Sequence, residues 1–291
     1  MIRIGPAGWH YKDWQGLVYP NPEPRGFREL AYVASLFDVV EINTSFYGPP
    51  RPAAIKSWIQ QVADNPRFRF TAKLWKGFTH ERNATAKDER EVKEGLTALA
   101  ESARLGAVLL QFPWSFKNEE ENRVYLFGLL DRFREFPQVI EVRHASWNQP
   151  AIYDSLAARG VGVCNIDQPL FKRSLKPGTQ VTSGVGYVRL HGRNYKHWFS
   201  PKATVRERYD YLYSMKELEP WVERTKAIAT QAQETYAIAN NHNLGKAVVN
   251  AAALEVLLGQ PAPRLPAALL ERYPEFREIV TNPTGADSSA G

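Results

Sequence analysis

The run Tyr187-Val188-Arg189-Leu190-His191-Gly192 decides the fold of this chain. Successive side chains of a strand point to opposite faces. Val188 and Leu190 therefore form one apolar face, while Tyr187, Arg189 and His191 share the other. The same arrangement recurs on both sides of it. Glu41 and Asn43 end Val39 to Asn43, Lys73 follows Arg69 and Thr71 within Phe68 to Leu74, and Gln111 closes Ala107 to Phe112. Glu141 and Arg143 end Val139 to Arg143, Asn165 and Asp167 end Val161 to Asp167, and Asn240 ends Tyr236 to Asn240. With Ile2 to Gly8 these make eight apolar, β-branched runs, nearly all ending in a polar residue on one alternation face. That pattern predicts an α/β fold: a single-domain, TIM-type (β/α)8 barrel with a charged mouth at the C-terminal strand ends, where this architecture places its chemistry.

Between the strands lies helical spacing. Asp88 to Leu105 is the clearest case: Val92, Leu96, Leu99 and Ala103 recur at three- and four-residue steps, and Gly106 is expected to end the helix. Further helices fit Phe27 to Phe37, Pro52 to Asp64, Glu119 to Phe133, Ala151 to Ala158, Glu217 to Gln233 and Lys246 to Leu258. A doubly wound open sheet is the competing architecture, but eight strands suit closure better. Two long loops interrupt the repeat, 168–184 after strand six and 192–216 after strand seven, the second rich in Tyr, Lys and Arg. The barrel is expected over 1–262, with 263–291 as a C-terminal extension whose last ten residues form a disordered tail.

Composition narrows the class. The chain has 291 residues, 44% hydrophobic and 23% charged, as in ordinary globular proteins. No apolar stretch is long enough to span a bilayer and no secretory signal opens the chain, so a cytoplasmic protein without a membrane partner is expected. Cys164 is the one cysteine, which excludes intrachain disulfides and multi-cysteine metal cages; its place in a strand suits a packed thiol. The net charge of +6 favours anionic partners, a small molecule or nucleic acid. Nothing indicates a protein partner.

At the mouth, Glu41, Glu141, Asp167 and His191 are candidate catalytic groups. Glu141 is cast as acid or base with His191 as its proton partner, and Lys73, Arg143 and Arg189 as anion binders. Against this stands a structural network in which these charges satisfy one another and catalyse nothing. Aromatics add a second layer: Trp9, Trp14, Trp75, Trp114, Trp147 and Trp198 follow strands or lie in the loops beyond, joined by Tyr11, Tyr47 and Tyr195, whereas Trp58 and Trp221 read as helix residues. Rings with cations suggest a pocket for an anionic, ring-bearing substrate. Asn43, His80, Gln111, His144, Asn240, Asn241 and His242 complete the candidate binding set with Trp9, Tyr11, Tyr47, Trp147 and Tyr195. A divalent metal on Glu41, Glu141, Asp167 and His191 is the alternative mechanism, opposed by the neighbouring cations. No compact metal motif, dinucleotide loop, Walker loop or nucleophile elbow is present, so no cofactor is expected.

The runs Gly8-Trp9-His10-Tyr11, Trp14-Gln15-Gly16, Val40-Glu41-Ile42-Asn43 with Phe46-Tyr47, Thr79-His80, Gln111-Phe112-Pro113, Glu141-Val142-Arg143-His144 with Trp147, Tyr187 to Gly192, and Asn240-Asn241-His242 resemble the YecE-like family (domain of unknown function 72, UPF0759 type). The resemblance covers residues 1 to about 258 and implies a TIM-type barrel with, at fold level, distant kinship to sugar isomerases. Two departures stand out: Gly5-Pro6-Ala7-Gly8 where a Gly-Thr-Ser-Gly run is common, and Ala237 to Ala239, less aromatic than usual. Two function classes follow. One is an enzyme using general acid/base catalysis, a hydrolase or isomerase, on a phosphorylated sugar, nucleotide or nucleic-acid end. The other is a non-catalytic nucleic-acid-binding protein using the basic, aromatic mouth. The enzyme predicts a deep pocket; the binder predicts a shallow groove and steeply salt-dependent affinity.

Overall fold

A computed structural model describes residues 1–281. The chain runs β1 (Ile2–Pro6), α1 (Glu29–Leu36), β2 (Val39–Ile42), α2 (Pro52–Gln61), β3 (Arg69–Lys73), the single turn α3 (Lys76–Thr79), α4 (Ala86–Glu101), β4 (Leu105–Gln111) and α5 (Glu120–Arg132). It continues with β5 (Gln138–Glu141), α6 (Pro150–Ala157), β6 (Gly162–Asp167), β7 (Val185–Leu190), the short α7 (Val205–Arg208), α8 (Met215–Ala229), β8 (Glu234–Ala239), α9 (Lys246–Leu257), α10 (Ala267–Arg272) and α11 (Arg277–Thr281). All eight strands are parallel, in the order β1-β8-β7-β6-β5-β4-β3-β2. The seam between β1 and β2 holds one bridge, Ala7 to Glu41, beside which Gly8 N donates to Glu41 O at 2.8 Å. The backbones there approach so closely that a Cβ on Gly5 would lie 1.9 Å from Val39 O. The expected barrel is what forms.

Two cores result. The larger fills the layer between barrel and helices; the smaller, including Val39, Leu109, Val139, Cys164, Tyr187 and Ile238, fills the barrel itself. Cys164 is buried there, and desolvation, with Glu141 nearby, pushes its thiol well above the ordinary range. The barrel bottom is plugged by Arg3, which pairs with Glu234 and donates from Nε to Arg67 O at 2.9 Å.

Local chemistry sets the helix ends. Thr85 and Asp88 form a reciprocal capping box on α4, and Pro52 and Pro150 begin α2 and α6, where their missing N–H costs nothing. Gly106 does not end α4, contrary to expectation. The helix stops at Glu101 and turns through Ala103 at a φ of 55°, whereas Gly106 lies within β4, where a Cβ would meet the Tyr236 ring at 2.5 Å. Loop 168–184 carries no helix, and the loop after strand seven contains only α7 before α8 begins at Met215. Over the C-terminal extension, α10, α11 and the turn between them bury Leu269, Val280 and Phe276 against the domain. The expected tail, 282–291, lies outside the described residues. Among the described residues no helix is long and apolar enough to cross a membrane.

Candidate functional site

A cavity of about 940 Å³ opens at the C-terminal strand ends. Strand alternation builds it in two tiers. The lower tier is sealed: Glu41, Glu141, Arg189 and His191 are fully buried and stand beneath the cavity. Arg189 is its pillar. Its Nη2 donates to Glu41 Oε1 at 2.7 Å and its Nη1 to Gln111 Oε1 at 3.1 Å, and Nη1 also pairs with Glu141. Tyr187 donates from its hydroxyl to Glu41 Oε2 at 3.0 Å. Burial alone would raise the Glu141 carboxyl, but Arg189, His191 and Arg143 outweigh it and hold that group well below the carboxylate range. Burial pushes His191 down to about 3 despite Glu141 beside it, so the imidazole is neutral. Its Nε2 lies 3.1 Å from Glu141 Oε1 and its Nδ1 lies 3.0 Å from Asn240 Nδ2. The tautomer with hydrogen on Nε2 satisfies both nitrogens.

The upper tier faces the cavity. Two residues beyond Glu41, Thr71 and Glu141 on the same strand faces come Asn43, Lys73 and Arg143, all lining the pocket. The Lys73 and Arg143 side chains are each 11% exposed. Lys73 Nζ stands 3.4 Å from Glu41 Oε1, and Arg143 Nε donates to Glu141 Oε1 at 2.9 Å. Three cations thus meet two carboxylates, leaving the floor one positive charge in excess. Burial and Arg189 lower Lys73 below its ordinary value. Tyr209 lies beside Arg143; burial would raise its phenol, but Arg143, Lys73 and Arg189 prevail and lower it.

Rings wall the space. Trp9 packs edge-on to Trp58 at 5.2 Å, Tyr11 stacks on His242 at 4.4 Å, and Arg143 lies 5.4 Å from the Trp198 ring centre. Tyr47, His80, Gln111 and Asn240 complete the lining among the expected residues. Partial burial and Arg143 push His80 down to about 4, leaving it neutral near pH 7.

The remaining candidates lie elsewhere. Asp167 is on the wrong face of β6: Cys164 and Ile166 point into the barrel, so Asp167 points outward. There Arg193 grips it, Nε at 2.9 Å and Nη2 at 3.1 Å, with the Tyr213 hydroxyl as third donor, fixing the base of the long loop. His144 backs the pocket wall, its ring 5.0 Å from Trp114 and its Nδ1 2.8 Å from Ser146 Oγ. Trp147 is core, donating to Phe116 O at 2.7 Å. Asn241 donates to Tyr211 O and Asn250 Oδ1, both at 2.8 Å, and Tyr195 sits on the outer surface. Trp14 and Trp75 also lie outside the lining, whereas Trp58, read as a helix residue, is part of it. The most consequential residue that the sequence did not single out is Tyr209, one of several tyrosines in the loop flagged for that richness. The metal arrangement has no room: Arg189 occupies the space between Glu41 and Glu141, and Asp167 faces away. Among the described residues no three of His, Cys, Asp and Glu gather as a metal site.

Comparison with known proteins places this geometry in a family. The chain is 29% identical over 273 residues to UPF0759 protein YunF of Bacillus subtilis (strain 168), covering 89% of this chain and 95% of that one. It is 30% identical over 170 residues to UPF0759 protein YecE of Escherichia coli O157:H7, 58% of each chain. The crystal structure of a DUF72 family protein from Thermotoga maritima MSB8 superposes with a TM-score of 0.77 at 31% identity, over 89% of this chain and 100% of that one. The profile described as "Protein of unknown function DUF72" matches residues 3–273, and the chain belongs to that family.

Proposed function

We propose that this protein is an enzyme acting on an anionic, ring-bearing substrate, a phosphorylated sugar or nucleotide, by proton transfer in the cavity at the barrel mouth. The reading rests on one observation. Lys73 and Arg143, with Arg208, line a cavity of about 940 Å³ whose other walls are aromatic rings and neutral polar side chains such as Asn43, Gln111 and Asn240, and no carboxylate lines it. A phosphate on the floor answers the excess positive charge, and a sugar or base lies against Trp9, Tyr11 or Trp198.

The chemistry differs from an acid/base role for Glu141. Its oxygens are saturated by Arg143, His191 and Arg189, so Glu41 and Glu141 act as counter-ions that position the cations. Proton transfer falls to Tyr209, whose phenol is made more acidic by the cations, and to the neutral imidazole of His80 on the same lining. Hydrolysis and isomerisation are the two reaction classes such a pair serves. A cavity of about 940 Å³ set in the barrel mouth supports an enzyme over a shallow nucleic-acid groove.

Calorimetric titration with inorganic phosphate, a sugar phosphate and a nucleoside monophosphate tests the reading. Binding by the native protein should weaken about 10- to 100-fold in Lys73→Met and in Arg143→Met, the value of a charge-assisted bond. No measurable binding of any of the three at millimolar concentration would refute it.

A further inference from the structure

Between Asp167 and Glu207 the chain contains no acidic residue. This stretch supplies both loops beside the pocket mouth, and its exposed side chains are of two kinds. Leu170, Phe171, Tyr195 and Phe199 are 44%, 36%, 52% and 49% exposed, most of the large apolar side chains that the described surface leaves open. Lys172, Arg173, Lys176, Lys196 and Lys202 are exposed around them, and none pairs with a carboxylate among the described residues.

The apolar group is one surface drawn from two loops. Phe171 packs against Tyr195 at 5.6 Å and Phe199 at 4.8 Å, and Leu170 N donates to the Tyr195 hydroxyl at 3.2 Å. The loops are held from below. Arg193 grips Asp167, Leu175 N donates to Arg143 O at 2.8 Å, and Ala145 N donates to Arg173 O at 2.9 Å. The surface is continuous with the cavity, since Phe199 lines both and stands edge-on to Trp114 of the pocket wall at 5.5 Å. A free sugar phosphate has no use for rings and cations outside the cavity that holds it. A chain of linked anionic, ring-bearing units does.

We infer that the two loops form a docking platform for single-stranded nucleic acid, whose terminal or everted nucleotide enters the pocket. Unstacked bases lie on Phe171, Tyr195 and Phe199, which accept any base because every base presents a π-face. The unpaired lysines and Arg173 follow the phosphates, and release of their counter-ions makes affinity fall with salt. A duplex keeps its base faces stacked and offers these rings nothing. The inference rests on the reading of the pocket as a nucleotide-type site and specifies its substrate as a strand.

Fluorescence anisotropy with labelled oligodeoxythymidylate and oligouridylate of about twelve nucleotides, a length within the span of known single-strand sites, provides the test. Thymidine and uridine monophosphate, read by calorimetry at the same ionic strength, are the reference for the pocket. The native protein should bind one or both oligomers at least about tenfold more tightly than the mononucleotide, with affinity falling steeply as salt rises. Phe171→Ala, and separately Lys172→Glu with Lys196→Glu, should erase most of that advantage while leaving mononucleotide affinity and melting temperature unchanged. These side chains are exposed, so folding is not at stake. Oligomers that bind no better than the mononucleotide, or whose advantage survives both variants, overturn the platform and leave the pocket reading standing. Oligomer binding that depends on the platform with no mononucleotide or phosphate binding upholds the platform and overturns the pocket reading. Tighter capture by phosphatidylserine vesicles than by either oligomer, lost in the same variants, also overturns the inference, because the surface would then be a membrane contact.

Discussion

The two tiers at the barrel mouth are made of the same kinds of residue and do opposite work. Glu141 and Arg143 are neighbours on one face of the chain leaving β5, as Glu41 and Asn43 are for β2, about 7 Å apart along the strand. The first of each pair is sealed and fully bonded; the second faces the cavity. His191 shows that position alone does not decide. It lies two residues past Arg189, yet the rings of Trp198 and Tyr209, centred 6.0 and 5.9 Å away, cover it. What separates network from site is what the loops lay over the strand end, a feature outside the reach of strand alternation.

The sharpest way to break this contrast is Arg189→Met. It leaves Glu41 and Glu141 buried without their shared cation, and breaking a buried ion pair from one side costs about 3–5 kcal/mol. A denaturant melt should show that loss, whereas Arg143→Met in the upper tier should lose anion affinity first. Equal stability losses for the two would mean that the tiers are one network.

Acid should act next, and on the lower tier. With His191 held at about 3 when folded against 6.5 ordinarily, the unfolded chain takes up a proton that the folded one refuses. Stability is therefore full above about pH 6.5 and falls as pH drops, by about 2 kcal/mol toward pH 5 from this one group. Glu141, also lowered, adds its own fall below about 4.5. His191→Asn should flatten the curve of melting temperature against pH between 6.5 and 4.5. It should not abolish the slope, because burial lowers His80 and His242 in the same sense. An unchanged curve would place the imidazole's proton elsewhere.

The smallest expected effect belongs to the upper tier in alkali. Tyr209 titrates below 10.0, and its phenolate would cancel a positive charge beside Arg143. Phosphate affinity should accordingly fall, about three- to tenfold, as pH rises through that point. Tyr209→Phe should hold affinity to higher pH, until Lys73, itself lowered from 10.5, loses its proton. Identical pH profiles for the two proteins would remove Tyr209 from the floor.

The barrel was legible because alternation repeats eight times and each repeat supports the others. Within the site, Glu41, Lys73, Glu141, Arg143 and Arg189 were legible for the same reason: their strands carry apolar partners on the opposite face that fix the phase. β6 was not. Cys164, Ile166 and their neighbours are mixed on both faces, so nothing in the run says that Asp167 looks outward to Arg193 and Tyr213. Those partners lie 26 and 46 positions later, in a loop without periodicity. Tyr209 was hidden for the same cause. Its importance comes from where the loop lands, and only the folded chain brings it to Arg143.

Arg189 also bears on how the chain can be divided. It joins carboxylates 148 and 48 positions away along the polypeptide, on β2 and β5. Any piece ending before β7 leaves Glu41 and Glu141 without the buried cation they share, with only Lys73 and Arg143 beside them, and any piece beginning after β5 carries a buried guanidinium with neither of its carboxylates. Division of the chain between β5 and β7 therefore costs both parts a buried charge pair, and a cut or permutation that keeps β2, β5 and β7 in one folding unit avoids that cost.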